Sequence, residues 1–358
     1  MDVTKDPFEE YLRETEPGKK ESAYYWQTAI GLQAVDGLEV SEYLKDVAKQ
    51  NIEGKLSAEE VQSLIQGYYK ERPQQADERT EEADLVSARI SQILSEQAFS
   101  FSSAQYLSIH RRLFDGLFPH AGQIRTYNIT KSEWVLDGDT VLYGNAFDLR
   151  ETLEYDLSQE KSFSYRFLSM QEIIRHLAVF VSRLWQIHVF GEGNTRTTAV
   201  FFIKYLRTLG FDATNDIFAK NAWYFRNALV RANYTNLQKD IHETTEYLEL
   251  FLRNLLLGEN NLLSNRTMHI SGQIRKQDTP ASIQYTEHLK NLGFTPKTIG
   301  HTEAMYAAFG REQYFGRTEI VSLLSSSASP ASALLKKLLE ADIIEPVHGK
   351  GKGKYRFR

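Results

Sequence analysis

The pattern of hydrophobic and polar residues predicts helices along most of the chain, because apolar residues recur three and four positions apart. Residues 39–69 hold two short amphipathic helices, and Ser57 with Glu60 forms a capping box at the start of the second. Helical spacing also covers residues 103–117, 148–157, 170–187 and 197–209. We therefore expect a mainly α-helical protein.

Two segments depart from the helical spacing. In residues 134–143 the dipeptide Asp137-Gly138 separates the β-prone flanks WVL and DTVLY, which predicts a short β-hairpin. Near the C-terminus two helices around a polar turn are followed by IIEPV and a Gly/Lys-rich end, the element order of a winged helix-turn-helix domain. We accordingly predict domains at residues 1–78, 79–262 and 291–358, with a polar linker at 263–290.

Composition limits the class of protein further. The chain has 358 residues, 42% of them hydrophobic, and it contains no cysteine, which excludes disulfides and a thiolate nucleophile. Its net charge of −5 argues against a chain devoted overall to nucleic acid or to anionic membranes. No signal peptide pattern is present and the apolar runs are too short to span a bilayer. We expect a cytoplasmic protein without a membrane partner, whether it is a monomer or a homo-oligomer.

The residues able to bind a ligand or take part in catalysis are concentrated in a Gly-rich turn inside the apolar stretch HVFGEGNTRTTAVFF, residues 188–202. Gly191 and Gly193 allow a tight turn that brings backbone amides close to a ligand. Asn194 or Thr195 can cap the following helix, whose first amides and dipole favour an anion. Arg196, in the first turn of that helix, can contact phosphate oxygens with its forked guanidinium.

Two further residues of this stretch suggest catalysis. His188 is able to accept a proton near neutral pH, and Glu192 is a carboxylate that can hold Mg²⁺ against phosphates. Taken singly, a histidine in an apolar helix is more often a core residue, and a glycine turn is more often a simple helix break. Together the residues point to a site for phosphate-group transfer.

The nine residues His188–Arg196, HVFGEGNTR, resemble the H-P-F-x-[D/E]-G-N-x-R signature of the Fic (Fic/Doc) family. The resemblance implies a Fic-type helical core near residues 83–257, with the predicted hairpin as a target-binding flap. It also implies a bacterial-type adenylyltransferase, which uses ATP and Mg²⁺ and transfers AMP to a hydroxyl side chain of a target protein.

By position, the resemblance makes His188 the general base and Glu192 the Mg²⁺ ligand. Gly193 and Asn194 would form the anion cradle, and Arg196 would contact phosphates of the leaving pyrophosphate. An exposed flap edge would pair with an extended target segment, although a surface hairpin that only covers the core is equally compatible with the sequence. The flap residues in question are Val135, Leu136, Thr140, Val141, Leu142 and Tyr143.

Two positions depart from the family pattern. Val189 replaces the usual proline, and Ala199 stands where many members carry a second arginine that resembles a γ-phosphate clamp. The missing arginine keeps two other functions open. One is a Fic-fold transferase that moves another phosphate-containing group, and the other is a weakly catalytic, nucleotide-responsive regulator that binds DNA.

The N-terminal helices, residues 24–69, resemble the antitoxin module found beside or fused to some Fic proteins. Asp36 and Gly37 are the best match to its inhibitory acid–glycine pair, with Asp in place of Glu. Because its arginine partner is replaced by Ala199, we expect Asp36 to lack an ion pair and inhibition to be weakened or differently wired. A helical cap that only covers apolar surface is the alternative.

The C-terminal segment ends in a run of basic residues. Lys350, Lys352 and Lys354 could neutralise DNA phosphates, which makes DNA a candidate partner of the predicted winged helix. A protein-interaction module with a solvated basic tail is the alternative.

Overall fold

The computed structural model describes residues 7–13, 16–71, 78–213, 216–271, 294–309, 314–324, 328–341, 343–347 and 353–357. The chain divides into two compact units, Met1–Ile270 and Ser271–Arg358. The domain borders predicted above remain predictions, because this division into units does not test them. Within the described residues no helix is both long and apolar enough to cross a membrane.

The first unit is helical. Three short 3₁₀ helices, Leu32–Asp36, Trp134–Leu136 and Leu237–Lys239, interrupt its α-helices. The α-helices are α1 (Glu9–Leu12), α2 (Pro17–Gly31), α3 (Glu42–Ile52), α4 (Ala58–Glu71), α5 (Glu78–Ser95), α6 (Ser103–Phe114), α7 (Leu149–Ser162), α8 (Met170–Ile187), α9 (Asn194–Thr208), α10 (Ile217–Arg231), α11 (Glu246–Leu257) and α12 (Asn265–Met268).

Helix α9 is the centre of this unit. Every residue from Asn194 to Leu206 is buried, because α5, α6 and α8 pack around the helix. Helix α8 precedes it and is strongly amphipathic, with a capping box formed by Ser169 and Glu172 at its start. The short turn between α8 and α9 is thus fixed at both ends by buried helices, which suits a site that requires accurate positioning.

The N-terminal helices pack on the same unit. Helix α2 lies along α5, and α3 and α4 close a second apolar cluster around Trp26. The predicted capping box is confirmed: Ser57 N donates to Glu60 Oε2 at 2.8 Å, and Glu60 N donates to Ser57 Oγ at 3.2 Å. The helices before α5 therefore share an apolar interior with the rest of the unit.

The predicted hairpin at residues 134–143 does not form strands. Its first flank is the 3₁₀ helix Trp134–Leu136, and Asp137 and Gly138 make the turn with φ of 58° and 88°. Val135 and Leu136 are both buried, whereas a strand would direct such neighbours to opposite faces. The predicted Asp-Gly turn is present, and the predicted β-pairing is wrong, because the chain buries consecutive apolar residues.

The second unit contains helices α13 (Pro296–Phe309), α14 (Arg317–Leu324) and α15 (Ala328–Glu340), followed by strands β1 (Ile344–Pro346) and β2 (Tyr355–Phe357). The strands pair antiparallel, with Ile344 opposite Phe357. This order agrees with the sequence pattern, and its interpretation as a winged helix stays a prediction. Lys350 and Lys352 lie outside the described residues, and the ammonium of Lys354 pairs with Glu319.

Candidate active site

The candidate site is built on the turn that joins α8 to α9. His188 follows α8 in a left-handed conformation with φ of 51°, and Gly193 precedes α9 with φ of 71°. A Cβ at Gly193 would lie 2.4 Å from the ring of Phe114, so only glycine fits both the angle and the space. No described side chain caps the first turn of α9, which leaves its leading amides as donors for an anion.

Asn194 and Thr195 hold the turn together with their side chains. Asn194 Oδ1 accepts a hydrogen bond from Phe190 N at 3.0 Å, and its Nδ2 donates to Phe190 O at 2.8 Å. Thr195 Oγ1 accepts from Trp185 Nε1 at 2.9 Å. Any contact of these two residues with an anion must therefore come from their backbone amides, and that role stays a prediction.

The imidazole of His188 is buried, with 3% of the residue exposed. Its Nδ1 lies 3.3 Å from Trp185 O and can donate to it, whereas Nε2 has no hydrogen-bond partner among the described residues. Burial, followed by the positive charge of Lys131, holds the pKa of His188 well below its ordinary value. The ring is thus neutral at physiological pH, so Nε2 keeps a free lone pair, and burial makes it a weaker base than an exposed imidazole.

Arg196 is engaged by three residues that we call the Arg196 clamp: Gln33, Asp36 and Glu82. Its Nη1 donates to Gln33 Oε1 at 3.0 Å and its Nη2 to Glu82 Oε1 at 2.6 Å. Its Nε forms an ion pair with Asp36 Oδ2 at 2.9 Å, and the guanidinium lies 4.8 Å above the ring of Phe114. In this closed conformation Arg196 is directed towards the N-terminal helices, with 2% of its surface exposed.

The expectation that Asp36 lacks an ion pair is wrong. Because a 3₁₀ helix has three residues per turn, the helix Leu32–Asp36 projects Gln33 and Asp36 from the same side, and both reach Arg196. Gly37, with φ of 69°, ends this helix. Asp36 therefore pairs with Arg196, and it has this ion pair although position 199 is alanine rather than arginine. Its inhibitory role stays a prediction.

Residues 131–144, which we call the flap, cover the imidazole. The ring of Tyr143 lies 4.2 Å from that of His188, and its hydroxyl donates to Glu133 Oε1 at 2.9 Å. Glu133 in turn forms an ion pair with Arg226 at 2.7 Å. Of the six predicted flap contacts, Leu142 is 84% exposed, while Val135, Leu136 and Val141 are buried and Thr140 and Tyr143 are half-buried. Leu142 is therefore the flap residue best placed to meet a target.

Arg125 joins the turn to the flap through hydrogen bonds, and no motif in the sequence identifies it as a residue of the site. Its Nε donates to His188 O at 2.7 Å, and its other nitrogens donate to the carbonyls of Tyr127, Gly144 and Ile187. One buried guanidinium thus joins the end of α8 to the end of the flap. Such a contact set is decided by tertiary structure, since its members come from separate segments.

His110 supports the other side of the turn. Its Nε2 donates to Glu192 O at 3.0 Å, its Nδ1 accepts from Gly122 N at 2.8 Å, and its ring stacks on Phe190. Burial lowers the pKa of His110 to about 3, so the imidazole is neutral and both nitrogens keep these roles.

Glu192 is the candidate metal ligand. Its side chain is exposed at the turn, and no described residue binds its carboxylate. Magnesium in nucleotide enzymes commonly uses one or two carboxylates and completes its shell with water and substrate phosphates, so a single exposed carboxylate is suitable. The described residues contain no cluster of three or more acids or histidines that could hold a metal alone. Glu192 would thus act together with a phosphate-bearing substrate.

Comparison with known proteins agrees with the signature in the turn. The chain matches the model of the Fic/DOC family over residues 100–206, a span that includes α6, the flap, α8, the turn and most of α9. The chain therefore contains a Fic/DOC family domain. No curated protein sequence matches it.

Two solved structures are similar to the chain at low identity and low TM-score. The N-terminal FIC domain of Bep8, a VirB-translocated effector protein from Bartonella sp. 1-1C, is 18% identical with a TM-score of 0.37, covering 56% of this chain and 87% of that one. A Fic family protein from Desulfovibrio desulfuricans G20 is 14% identical with a TM-score of 0.41, covering 95% of this chain and 87% of that one.

Proposed function

We propose that the chain is a protein adenylyltransferase that transfers AMP from ATP to a hydroxyl side chain of a target protein. The observation that carries this proposal is the buried Nε2 of His188, which has no partner among the described residues and belongs to the turn that leads into the uncapped start of α9. A base and an anion site on one short turn are the parts that phosphoryl-group transfer requires. Fic domain proteins are typically transferases, which agrees with this assignment.

In the proposed transfer, His188 is the base. The target hydroxyl oxygen forms a bond to the α-phosphorus of ATP, and its proton passes to Nε2 of His188. The bond from that phosphorus to the bridging oxygen of the β-phosphate breaks, and pyrophosphate leaves with the electron pair. General base catalysis of this kind contributes about 10²- to 10⁴-fold.

The α9 amides and Arg196 would stabilise the charge that develops on the phosphates. Mg²⁺ held by Glu192 would neutralise the phosphate oxygens further. Contact of phosphate with Arg196 and of the target hydroxyl with His188 would require an open conformation, because Asp36 and Glu82 occupy Arg196 and Tyr143 covers His188. The N-terminal helices would thereby regulate the enzyme: phosphate and the Arg196 clamp compete for one guanidinium.

Labelled ATP tests the proposal. Wild-type protein and the Asp36→Asn variant are incubated with lysate proteins, Mg²⁺ and ATP labelled in either the α- or the γ-phosphate. Protein-bound α label supports AMP transfer, and γ label would show phosphorylation instead. Label from neither position, with both proteins, would contradict transfer and favour a nucleotide-responsive regulator.

His188→Ala tests the base assignment in the same assay. We expect it to abolish labelling while thermal unfolding and circular dichroism show a folded protein. Unchanged labelling by the folded variant would show that another group takes the proton.

A further inference from the structure

Some of the cationic side chains near the turn form ion pairs with acids, and others do not. Arg196 is neutralised by Asp36 and Glu82, and Arg226 by Glu133. Lys131 is different: among the described residues no acid lies within ion-pair distance of its ammonium, and no hydrogen bond from its Nζ is present. A half-buried cation without a partner is costly unless a ligand supplies one. Among the described residues, Lys131 is thus a charge of the site that no acid contacts directly, and it also differs from Arg125, whose guanidinium is held by four carbonyls.

Lys131 lies in the flap, the segment whose Tyr143 packs on His188. It begins the flap, and its backbone N donates to Thr140 Oγ1 at 3.3 Å, on the opposite side of the Asp-Gly turn. The charges that act on its ammonium belong to Asp36, Arg226, Glu133 and Glu192. Among the charged groups, the Lys131 ammonium also has the largest effect on the pKa of His188. The ammonium is thus within electrostatic reach of groups from the clamp, the turn and the end of α8.

Helix α9 cannot supply a second cation to a long phosphate chain. Ala199, one turn after Arg196, is fully buried and uncharged. The next cation on α9, Lys204, is directed away from the turn, with its Nζ donating to Glu96 O. Arg196 and the Mg²⁺ that Glu192 would hold do not neutralise all of the negative charge of a triphosphate, so a second cationic side chain would have to come from another part of the fold.

We propose that Lys131 holds the terminal phosphates of the nucleotide, which makes it the residue that selects ATP over nucleotides with fewer phosphates. This assignment rests on the proposed function. Lysine is suited to the role because its ammonium is a compact charge that binds phosphate without a fixed orientation. The flap would then contribute to the nucleotide site as well as to contact with the target.

Calorimetric titration of the full chain with ATP and with AMP, both with Mg²⁺, tests the proposal. Lys131→Met should weaken ATP binding about 10- to 100-fold while AMP binding stays within about twofold. Lys131→Arg should keep most of the ATP affinity, because it keeps the positive charge. Lys161→Met, which removes an exposed lysine of α7, is the matched control and should bind like wild type.

The outcomes separate this proposal from the function on which it rests. If ATP binds but Lys131→Met binds it as tightly as wild type, or loses ATP and AMP equally, the role of Lys131 is wrong and the transferase remains. If neither wild type nor Asp36→Asn binds ATP, both proposals are wrong.

Discussion

The carboxylate of Asp36 lies 2.9 Å from Nε of Arg196, so the N-terminal helices contact the very group that the candidate site offers to phosphate. Glu82, at the start of α5, reinforces the contact at 2.6 Å. One-third of the Asp36 side chain is exposed, whereas Glu82 is 12% exposed. Asp36 is thus the more accessible of the two acids in the clamp and the one that an incoming ligand would displace more readily.

Replacing Asp36 with Asn should raise the affinity for ATP and the rate of labelling, because the acid no longer competes with phosphate for Arg196. A coupling of this kind is typically worth about tenfold. Calorimetric titration and α-label transfer would measure it.

Asp46→Asn is the control for this prediction, since it removes a well-exposed acid of α3 that does not touch Arg196. It should bind ATP like wild type. Equal or weaker ATP binding by Asp36→Asn would show that the clamp does not restrain the site.

Gly193→Ala should destabilise the protein and abolish nucleotide binding. A left-handed backbone at a residue with a Cβ costs about 1–2 kcal/mol, and the Cβ would also overlap the ring of Phe114. Gly116→Ala is the matched control, because Gly116 has φ of 76° and nothing within 4 Å of its Cβ. Denaturant unfolding should show a larger loss for Gly193→Ala, by roughly 1–3 kcal/mol. Equal losses would mean that the ring adapts without cost.

Arg125→Lys should reduce both stability and transfer, although it keeps the charge. A lysine cannot donate to the four carbonyls that the guanidinium joins, and buried carbonyls left without a donor cost about 1–3 kcal/mol. Urea unfolding and α-label transfer would test this. Wild-type behaviour in both would show that the carbonyls find other donors.

His110 should make the fold sensitive to acid. Its pKa is about 3 in the folded protein and about 6.5 when unfolded, so the unfolded state takes up the proton first as the pH falls. His110 alone should therefore lower the free energy of unfolding by about 1.4 kcal/mol per pH unit between about pH 6.5 and pH 3, since protonation would break the bond from Gly122 N.

The His110→Gln variant checks this dependence. It should be less stable at pH 7 but show a shallower loss of stability between pH 6 and pH 4, measured by denaturant unfolding at each pH. His242→Gln, which replaces a side chain that is 65% exposed, should keep the wild-type slope. A slope that is the same in all three proteins would locate the acid sensitivity elsewhere.

The sequence by itself determined what depends on local spacing. The helical pattern, the capping box at Ser57 and the signature His188–Arg196 could all be recognised from neighbouring residues, and the Fic/DOC match over residues 100–206 agrees with the signature. The hairpin prediction used the same local information and was wrong, because β-prone residues such as Val135 pack in the buried core instead of forming a strand.

Only the tertiary structure decided which groups meet across the chain. The pairing of Arg196 with Asp36, the four carbonyls around Arg125 and the unpaired ammonium of Lys131 all depend on how separate helices and the flap pack. Ion pairs and hydrogen bonds act over a few ångströms, and sequence spacing fixes such distances only within one turn or one helix. The turn could therefore be predicted from the sequence, whereas the ion pairs of Arg196 with Asp36 and Glu82 could not.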